Sequence, residues 1–140
     1  LFASLAAAFD ALSEGLRRTL ETLGAVHSNA AVQARMKTGR APDPDVVHPV
    51  VIRHPESGRK VLYVNPAYTI RFDGWTEAES RPLLEFLFQH GQRPEFACRF
   101  RWAEGSLAFW DNYQTWHFAV NDYAAGDRVM HRIVVNGPPF

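Results

Sequence analysis

Residues 110–123 read WDNYQTWHFAVNDY, and residues 128–135 follow as RVMHRIVV. The second stretch has the β-branched and apolar composition of a strand. Alternate side chains of a strand share a face, so Arg128 and Arg132 would point the same way, about 13 Å apart along the backbone. A planar guanidinium pairs with a carboxylate or a sulfonate through two hydrogen bonds. This strand therefore predicts one wall that can hold two separate anions.

The neighbours of these arginines bear on that prediction. Met130 and Val134 would share the face and are apolar, so the strand carries charge where burial is expected. His131 would lie on the opposite face, and we interpret it as a packing residue. Considered by itself, His117 beside aromatic side chains is more often a hydrogen-bonded core or surface residue than a metal ligand.

The chain before residue 46 predicts two helices and a loop. Ser4 can cap a helix in which the segment Leu5 to Leu12 places apolar side chains on one face. A second helix is predicted from Ser13 to Leu23, with leucines at helical spacing. From Gly24 to Asp45 the pattern weakens and turn-forming residues follow, which indicates a mobile loop. Such a loop is either a lid over a site or a plain surface excursion.

The middle of the chain predicts a hairpin and a helix. Val46 to Ile52 and Lys60 to Val64 are apolar runs separated by a turn at residues 55–58. Thr76 and Glu79 have the spacing of a reciprocal capping box, so a helix is expected from Glu77 to about His90. Its buried side would consist of Leu83, Leu84, Leu87 and Phe88.

After residue 94 the spacing of apolar residues changes from the helical period of 3.6 residues to the strand period of 2 residues. Apolar side chains alternate from Phe96 to Trp102, and Gly105 and Ser106 then turn the chain into a strand at residues 107–110. Cys98 lies inside the alternation, which predicts a buried strand position. Short strands with helices between or before them predict an α+β domain over residues 1–140, with a β-sandwich or jelly-roll core.

Composition limits the classes of function. The chain has 140 residues, 46% hydrophobic and 21% charged, which is typical of one globular domain. Its 15 basic and 15 acidic residues cancel, so overall charge suggests neither nucleic acid nor an acidic membrane as partner. One cysteine and the lack of an apolar run of about 18 residues or a leader pattern predict a cytoplasmic protein. Because the chain starts at Leu1, we expect an upstream piece.

The opening stretch resembles the C-terminal signature of the taurine dioxygenase family of iron(II)- and 2-oxoglutarate-dependent enzymes. In that family a Trp-Asp-Asn turn leads to a metal-binding histidine, and two arginines follow on the next strand. Arg128 and Arg132 lie eleven and fifteen residues after His117, as in the family. Supporting matches in chain order are Ala11-Leu12-Ser13, His48-Pro49-Val50-Val51, Leu62-Tyr63-Val64-Asn65 and Pro94-Glu95-Phe96.

The resemblance implies a double-stranded β-helix with flanking helices and an iron held by two histidines and one carboxylate. That set leaves three positions open for bidentate 2-oxoglutarate and for oxygen. By the resemblance, His117 is the second histidine ligand of Fe(II). Arg128 binds the distal carboxylate of 2-oxoglutarate, and Arg132 binds the anionic group of the primary substrate. No catalytic role is assigned to His27, His48, His54 and His90.

Two departures from the family pattern matter. Tyr113 stands where family members usually carry arginine. By the resemblance, the histidine-x-aspartate pair that supplies the other iron ligands lies upstream of the first helix, as does a threonine that helps to hold 2-oxoglutarate. The resemblance thus implies a jelly roll that is incomplete in its N-terminal strands, and a 140-residue chain that is inactive alone.

The function that the resemblance implies is hydroxylation of a small anionic substrate such as taurine or another sulfonate, with decarboxylation of 2-oxoglutarate to succinate. A second reading keeps the chemistry but takes alkyl sulfates or aryloxyacetates. A third is a non-catalytic jelly-roll module that binds a small anion. A homo-oligomer is possible because family members often form dimers or tetramers.

Overall fold

The structure is a computed structural model that describes residues 1–37, 39–122 and 129–135. Its helices α1 to α4 are Leu5–Asp10, Glu14–Leu20, Ala30–Met36 and Glu77–Gly91, and a 3-10 helix spans Pro94–Phe96. Its strands β1 to β8 are Phe2–Ser4, Gly24–His27, Val46–Pro49, Val51–Arg53, Lys60–Leu62, Thr69–Phe72, Ala97–Cys98 and Thr115–His117.

The first two helices confirm the prediction. The Ser4 hydroxyl accepts the Ala7 N–H at the start of α1, and the Ser13 hydroxyl accepts the Leu16 N–H at the start of α2. These contacts satisfy amides that lack a partner in the first turn. Both helices end two or three residues earlier than the leucine pattern suggested. The apolar face of α1 is buried, with Phe9 in the main hydrophobic core.

The loop predicted from Gly24 to Asp45 is wrong in its first half. β2 is the central strand of a three-stranded sheet of order β3-β2-β6, and α3 follows it. Ala25 and Val26 are buried there because both neighbouring strands cover them. Residues 39–45 contain no helix or strand, and the Asp43 carboxylate accepts a hydrogen bond from the Asn29 amide at 2.6 Å.

The predicted hairpin is present, although its first strand is divided. β4 and β5 pair antiparallel with Val51 opposite Leu62, and Gly58 in the turn between them has a φ of +68°. A residue without Cβ adopts that φ at little cost. The earlier part of the apolar run, β3, pairs with β2 instead, and buried Val50 joins the two strands. β6 was not predicted.

The capping box of α4 is confirmed. The Thr76 hydroxyl accepts the Glu79 N–H, and the Glu79 carboxylate accepts the Thr76 N–H at 2.8 Å. The buried Ser80 hydroxyl donates to the Thr76 carbonyl and accepts the Phe72 N–H, which links α4 to β6. The predicted buried side is correct: Leu84 and Leu87 are in the main core, and Leu83 and Phe88 pack against it.

The strands predicted near the C-terminus are largely wrong. Of the alternating run 96–102 only Ala97–Cys98 is a strand, and residues 107–110 and 129–135 have no regular structure. An alternating pattern forms a strand only where a neighbour supplies the ladder, and no pairing forms for these residues in the described chain. The other strand in this part of the chain is β8, Thr115–His117, which was predicted only as the segment that carries His117.

The described residues therefore form an α+β architecture of four helices and three small antiparallel sheets. The main core gathers side chains from α1, α2, α4 and the strands between them: Phe9, Leu12, Leu20, Ala25, Val50, Leu62, Val64, Phe72, Leu84 and Leu87. Among described residues, no helix is long and apolar enough to cross a membrane. The described strands lie in three separate sheets, so the jelly-roll core stays a prediction.

Candidate functional site

His117 ends β8 in a sheet of order β7-β1-β8. In the register of this sheet, Phe2 of β1 is the partner of both His117 and Cys98. Cross-strand partners point to the same face. The three side chains therefore form one row across the sheet, and Cys98 is exposed there. The buried position predicted for Cys98 is wrong, because β7 is an edge strand and its cysteine lies on the open face.

The opposite face of β8 is fixed in the core through Trp116. Its indole N–H donates to the Val64 carbonyl at 3.0 Å, and its ring packs on the main core beside Phe88. Successive side chains of a strand alternate, so the packing of Trp116 against the core turns His117 outward. The register of β8, rather than a contact of the imidazole itself, determines where His117 points.

The imidazole of His117 lies against an aromatic ring and near a cation. Its centroid is 5.2 Å from that of Trp110, and the Arg132 guanidinium lies 5.7 Å from the centroid of the Trp110 ring. Partial burial lowers the pKa of His117, and the positive charges of Arg132 and of the Leu1 amino group lower it further. These effects favour the unprotonated ring, which is the form that binds metal ions.

The predictions for Arg128 and Arg132 have different outcomes in the structure. Arg132 lies over the Trp110 ring, and its positive charge contributes to the lowered pKa of His117. Arg128 lies outside the described residues. Residues 129–135 are not a strand, so the predicted strand that would place both arginines on one buried face is wrong over this range. Met130 and Val134, expected to be buried, are 45% and 59% exposed.

The other histidines differ in their surroundings. His131 is exposed and belongs to no strand, so its predicted packing role is wrong. His90 is buried, and its Nε2 pairs with the Ala8 carbonyl at 2.8 Å. His27 and His48 lie with Tyr63 in a cluster of rings whose centroids are 5.3 to 5.7 Å apart.

Sequence reasoning missed the contact between His54 and Asp111. His54 is buried, and its Nε2 is hydrogen-bonded to the carboxylate of Asp111, in the Trp-Asp-Asn turn that precedes β8. The two residues are 57 positions apart, so no local spacing could reveal the pair. The available signal was chemical: a histidine opening a Pro-Glu-Ser-Gly turn, and an aspartate in the motif that carries the resemblance.

His117 fits a metal site as one ligand, because its ring is on the open face and favours the unprotonated form. Within residues 1–37, 39–122 and 129–135, no three side chains of His, Cys, Asp or Glu are grouped so that they could hold a metal ion. A single imidazole does not define a coordination geometry. The described residues therefore do not make a complete iron site.

Comparison with known proteins gives a consistent result. Residues 1–134 match the model of a family described as taurine catabolism dioxygenase TauD, TfdA family. The chain is 40% identical over 136 residues to the alpha-ketoglutarate-dependent dioxygenase cnsM of Penicillium expansum, covering 91% of this chain and 38% of that protein. It is 35% identical over 149 residues to an alkylsulfatase of Acinetobacter baylyi, covering 97% of this chain and 47% of the relative.

Solved structures also resemble this chain in backbone fold. The crystal structure of a taurine dioxygenase from Burkholderia xenovorans superposes with a TM-score of 0.70 and 41% sequence identity. The superposition covers 81% of this chain and 38% of that chain. This chain thus spans half or less of the length of the relatives it matches.

Proposed function

Because this chain belongs to the TauD, TfdA family of taurine catabolism dioxygenases, we propose that the protein is an iron(II)- and 2-oxoglutarate-dependent dioxygenase that hydroxylates a small anion. The observation that carries the proposal is the arrangement of the open face. There the His117 imidazole and the Arg132 guanidinium both lie against Trp110. We propose further that the complete domain is a double-stranded β-helix and that the protein is cytoplasmic.

Each described side chain has one task in this proposal. His117 supplies one nitrogen ligand to iron, and Arg132 binds the anionic group of the primary substrate. The Trp110 ring supports both side chains, since each lies against it. Bound iron and 2-oxoglutarate supply the oxygen chemistry, in which 2-oxoglutarate is decarboxylated to succinate. Arg128 keeps its predicted role, binding the distal carboxylate of 2-oxoglutarate.

The substrate class follows from the names of the relatives. The family is named for taurine, which is a sulfonate, and an alkylsulfatase is named for sulfate esters. Both substrate groups are tetrahedral sulfur oxyanions that a guanidinium can bind through two hydrogen bonds. Aryloxyacetates present a planar carboxylate to the same cation. We therefore propose an alkyl sulfonate or alkyl sulfate as substrate, with aryloxyacetates as the alternative.

The test is succinate formation by the protein, expressed with all in-frame coding sequence upstream of Leu1. Purified protein receives Fe(II), 2-oxoglutarate and oxygen with taurine, an alkyl sulfate or phenoxyacetate. We expect substrate-dependent succinate with at least one sulfur oxyanion. His117→Ala should lower the rate by about 100-fold or more, as loss of a metal ligand does. Arg132→Gln should raise KM by about tenfold with a smaller change in kcat.

The matched control is Arg81→Gln, which removes an exposed arginine on α4. It should leave both KM and kcat unchanged. Folded wild-type protein that forms no succinate with any of the three substrates contradicts the proposal. Binding of the anion under those conditions, measured by calorimetry, would support the second candidate function, a non-catalytic anion-binding module. That candidate is favoured by the incomplete ligand set of the described residues.

A further inference from the structure

We propose that His54 is a positioning residue for His117, acting through Asp111; the proposal rests on the metal-binding role of His117 in the proposed function. His54 begins the turn between β4 and β5 and is 6% exposed. Its backbone N–H donates to the Arg59 carbonyl at 2.8 Å, and its carbonyl accepts the Gly58 N–H at 2.9 Å. The backbone of His54 is therefore held on both sides by the hairpin turn.

Hydrogen bonds fix the tautomer of the His54 ring. The backbone N–H of Ser57 donates to Nδ1 at 3.1 Å, so Nδ1 carries no proton. The ring proton then lies on Nε2, which donates to the Asp111 carboxylate. Both ring nitrogens are occupied by protein groups. His54 consequently has no free nitrogen for a metal ion or a substrate, and its effect must pass through Asp111.

Asp111 uses both oxygens to shape the segment before β8. Oδ2 accepts from His54, and Oδ1 accepts the backbone N–H of Tyr113 at 2.7 Å. The Gln114 carbonyl then accepts the Leu5 N–H at 2.8 Å, and β8 begins its ladder with β1. The seven-residue segment from Asp111 to His117 is thus anchored at its start by the hairpin turn and at its end by β1.

Two side chains of the same segment follow the position of Asp111. Trp110, its preceding neighbour, is the ring against which the His117 imidazole lies. Tyr113 packs on the smaller core cluster, which contains Ile52 of β4, and stands edge-on to the His54 ring with centroids 6.4 Å apart. The hairpin therefore sets the path of the backbone to His117 and the ring that supports its imidazole.

The test uses substitutions that separate the hydrogen bond from the packing. The protein is expressed with all in-frame coding sequence upstream of Leu1. His54→Phe keeps a ring and removes both of its hydrogen bonds. Asp111→Asn keeps the shape, but an amide has one acceptor oxygen, so the N–H of either His54 or Tyr113 loses its acceptor. His54→Gln is the conservative variant, since its amide N–H can replace Nε2–H as donor to Asp111.

The first measurement is made without metal. In protein labelled with ¹⁵N-histidine, the ring signals of His117 are assigned with a His117→Gln variant. We expect His54→Phe and Asp111→Asn to shift or broaden these signals and to speed hydrogen exchange at the amides of Trp116 and Phe118, which face β1 in the ladder. His54→Gln should retain the wild-type signals. Because this arm needs no iron, it decides whether His54 positions His117 even if the proposed function fails.

The second measurement is binding of Mn(II), a redox-stable probe for the iron site, in the presence of 2-oxoglutarate. His54→Phe and Asp111→Asn should raise the Kd for Mn(II) by about tenfold, the lower end of the effect of residues that orient a metal ligand. His54→Gln should stay within about threefold of wild type. Wild-type protein that does not bind Mn(II) contradicts the proposed function and leaves the first measurement to decide the positioning role.

The matched control is His90→Phe. His90 is also buried, but its Nε2 pairs with the backbone carbonyl of Ala8 and not with Asp111. The substitution should lower the melting temperature as His54→Phe does, yet leave the His117 signals and the Kd for Mn(II) unchanged. Unchanged His117 signals in both folded His54→Phe and folded Asp111→Asn would overturn the proposal. Equal effects of His90→Phe and His54→Phe on those signals would also overturn it, because the loss would then be one of general stability.

Discussion

The ring of His27 lies at the end of β2 in contact with two other polar rings. Its centroid is 5.3 Å from that of His48 and 5.7 Å from that of Tyr63. Nε2 of His27 is buried, and no hydrogen-bond partner for it is found among the described residues. Burial lowers the pKa of His27 to about 4, and repulsion from His48 contributes. The folded protein therefore holds this imidazole in its unprotonated form.

This shift predicts a pH dependence of stability. Between the unfolded pKa of 6.5 and the folded pKa of about 4, the unfolded state binds more protons than the folded state. The free energy of unfolding should therefore fall as pH decreases from 6.5 to 4, and this contribution should be constant above 6.5. His27→Phe removes the titrating group, so urea unfolding at several pH values should show a smaller slope in that window.

The control for His27→Phe is His131→Gln, which changes an exposed histidine. It should keep the wild-type slope. An unchanged slope in His27→Phe would show that other groups dominate the acid sensitivity of the protein.

For individual residues, the sequence could indicate which side chains form the candidate site, but it could not indicate their long-range contacts. His117 and Arg132 were chosen from one stretch of chain, and the structure places both against Trp110. The bond from His54 to Asp111 joins residues 57 positions apart. Such a contact depends on how the hairpin packs against the segment before β8, and neither local sequence contains that information.

Contact with α4 holds β8 in place, and β8 carries His117, the candidate metal ligand. Gly91 is the last residue of α4, and a Cβ added there would lie 2.8 Å from Cζ3 of Trp116. The indole cannot move freely, because its N–H is bonded to the Val64 carbonyl. Glycine is required here by close approach of helix and strand, rather than by an unusual φ.

Gly91→Ala should therefore destabilise the fold through β8. We expect a loss of about 1–3 kcal/mol in the free energy of unfolding, the usual range for overpacking a filled core. Gly15→Ala is the matched control, since a Cβ at Gly15 in α2 meets nothing within 4 Å. Alanine there should raise stability by up to about 1 kcal/mol through helix propensity. Urea unfolding followed by tryptophan fluorescence measures both, and equal stability of Gly91→Ala and wild type would contradict this account.

Elements were predicted well where their signals are local. The capping box of Thr76 and Glu79 indicates the start of α4 from four consecutive residues. β2 and β6 were missed because each has four residues and owes its formation to pairing with a distant partner. The predicted strand at residues 107–110 fails for the converse reason, since its alternation has no paired neighbour in the described chain.

On the scale of the molecule, the two regions of the chain differ in how well they are covered. The main core draws on α1, α2, α4 and the strands between them, up to Leu87. Many large apolar side chains after that point are exposed: Phe100, Trp102, Leu107, Phe109, Phe118, Val129, Met130, Ile133, Val134 and Val135. The open face with His117 lies in this second region, so the candidate site is built on the less covered part of the described chain.

That arrangement predicts how the 140-residue chain behaves when expressed alone. His117 is one nitrogen ligand, and no group of three metal-binding side chains occurs within the described ranges. One imidazole competes poorly with water for ferrous iron, because affinity and geometry require several ligands. We expect no stoichiometric binding of Fe(II) with 2-oxoglutarate at micromolar concentrations, measured by calorimetry without oxygen. The same protein carrying all in-frame upstream coding sequence is the comparison and should bind one iron per chain. Tight stoichiometric binding by the 140-residue chain, lost in His117→Ala, would show that these residues complete the site themselves.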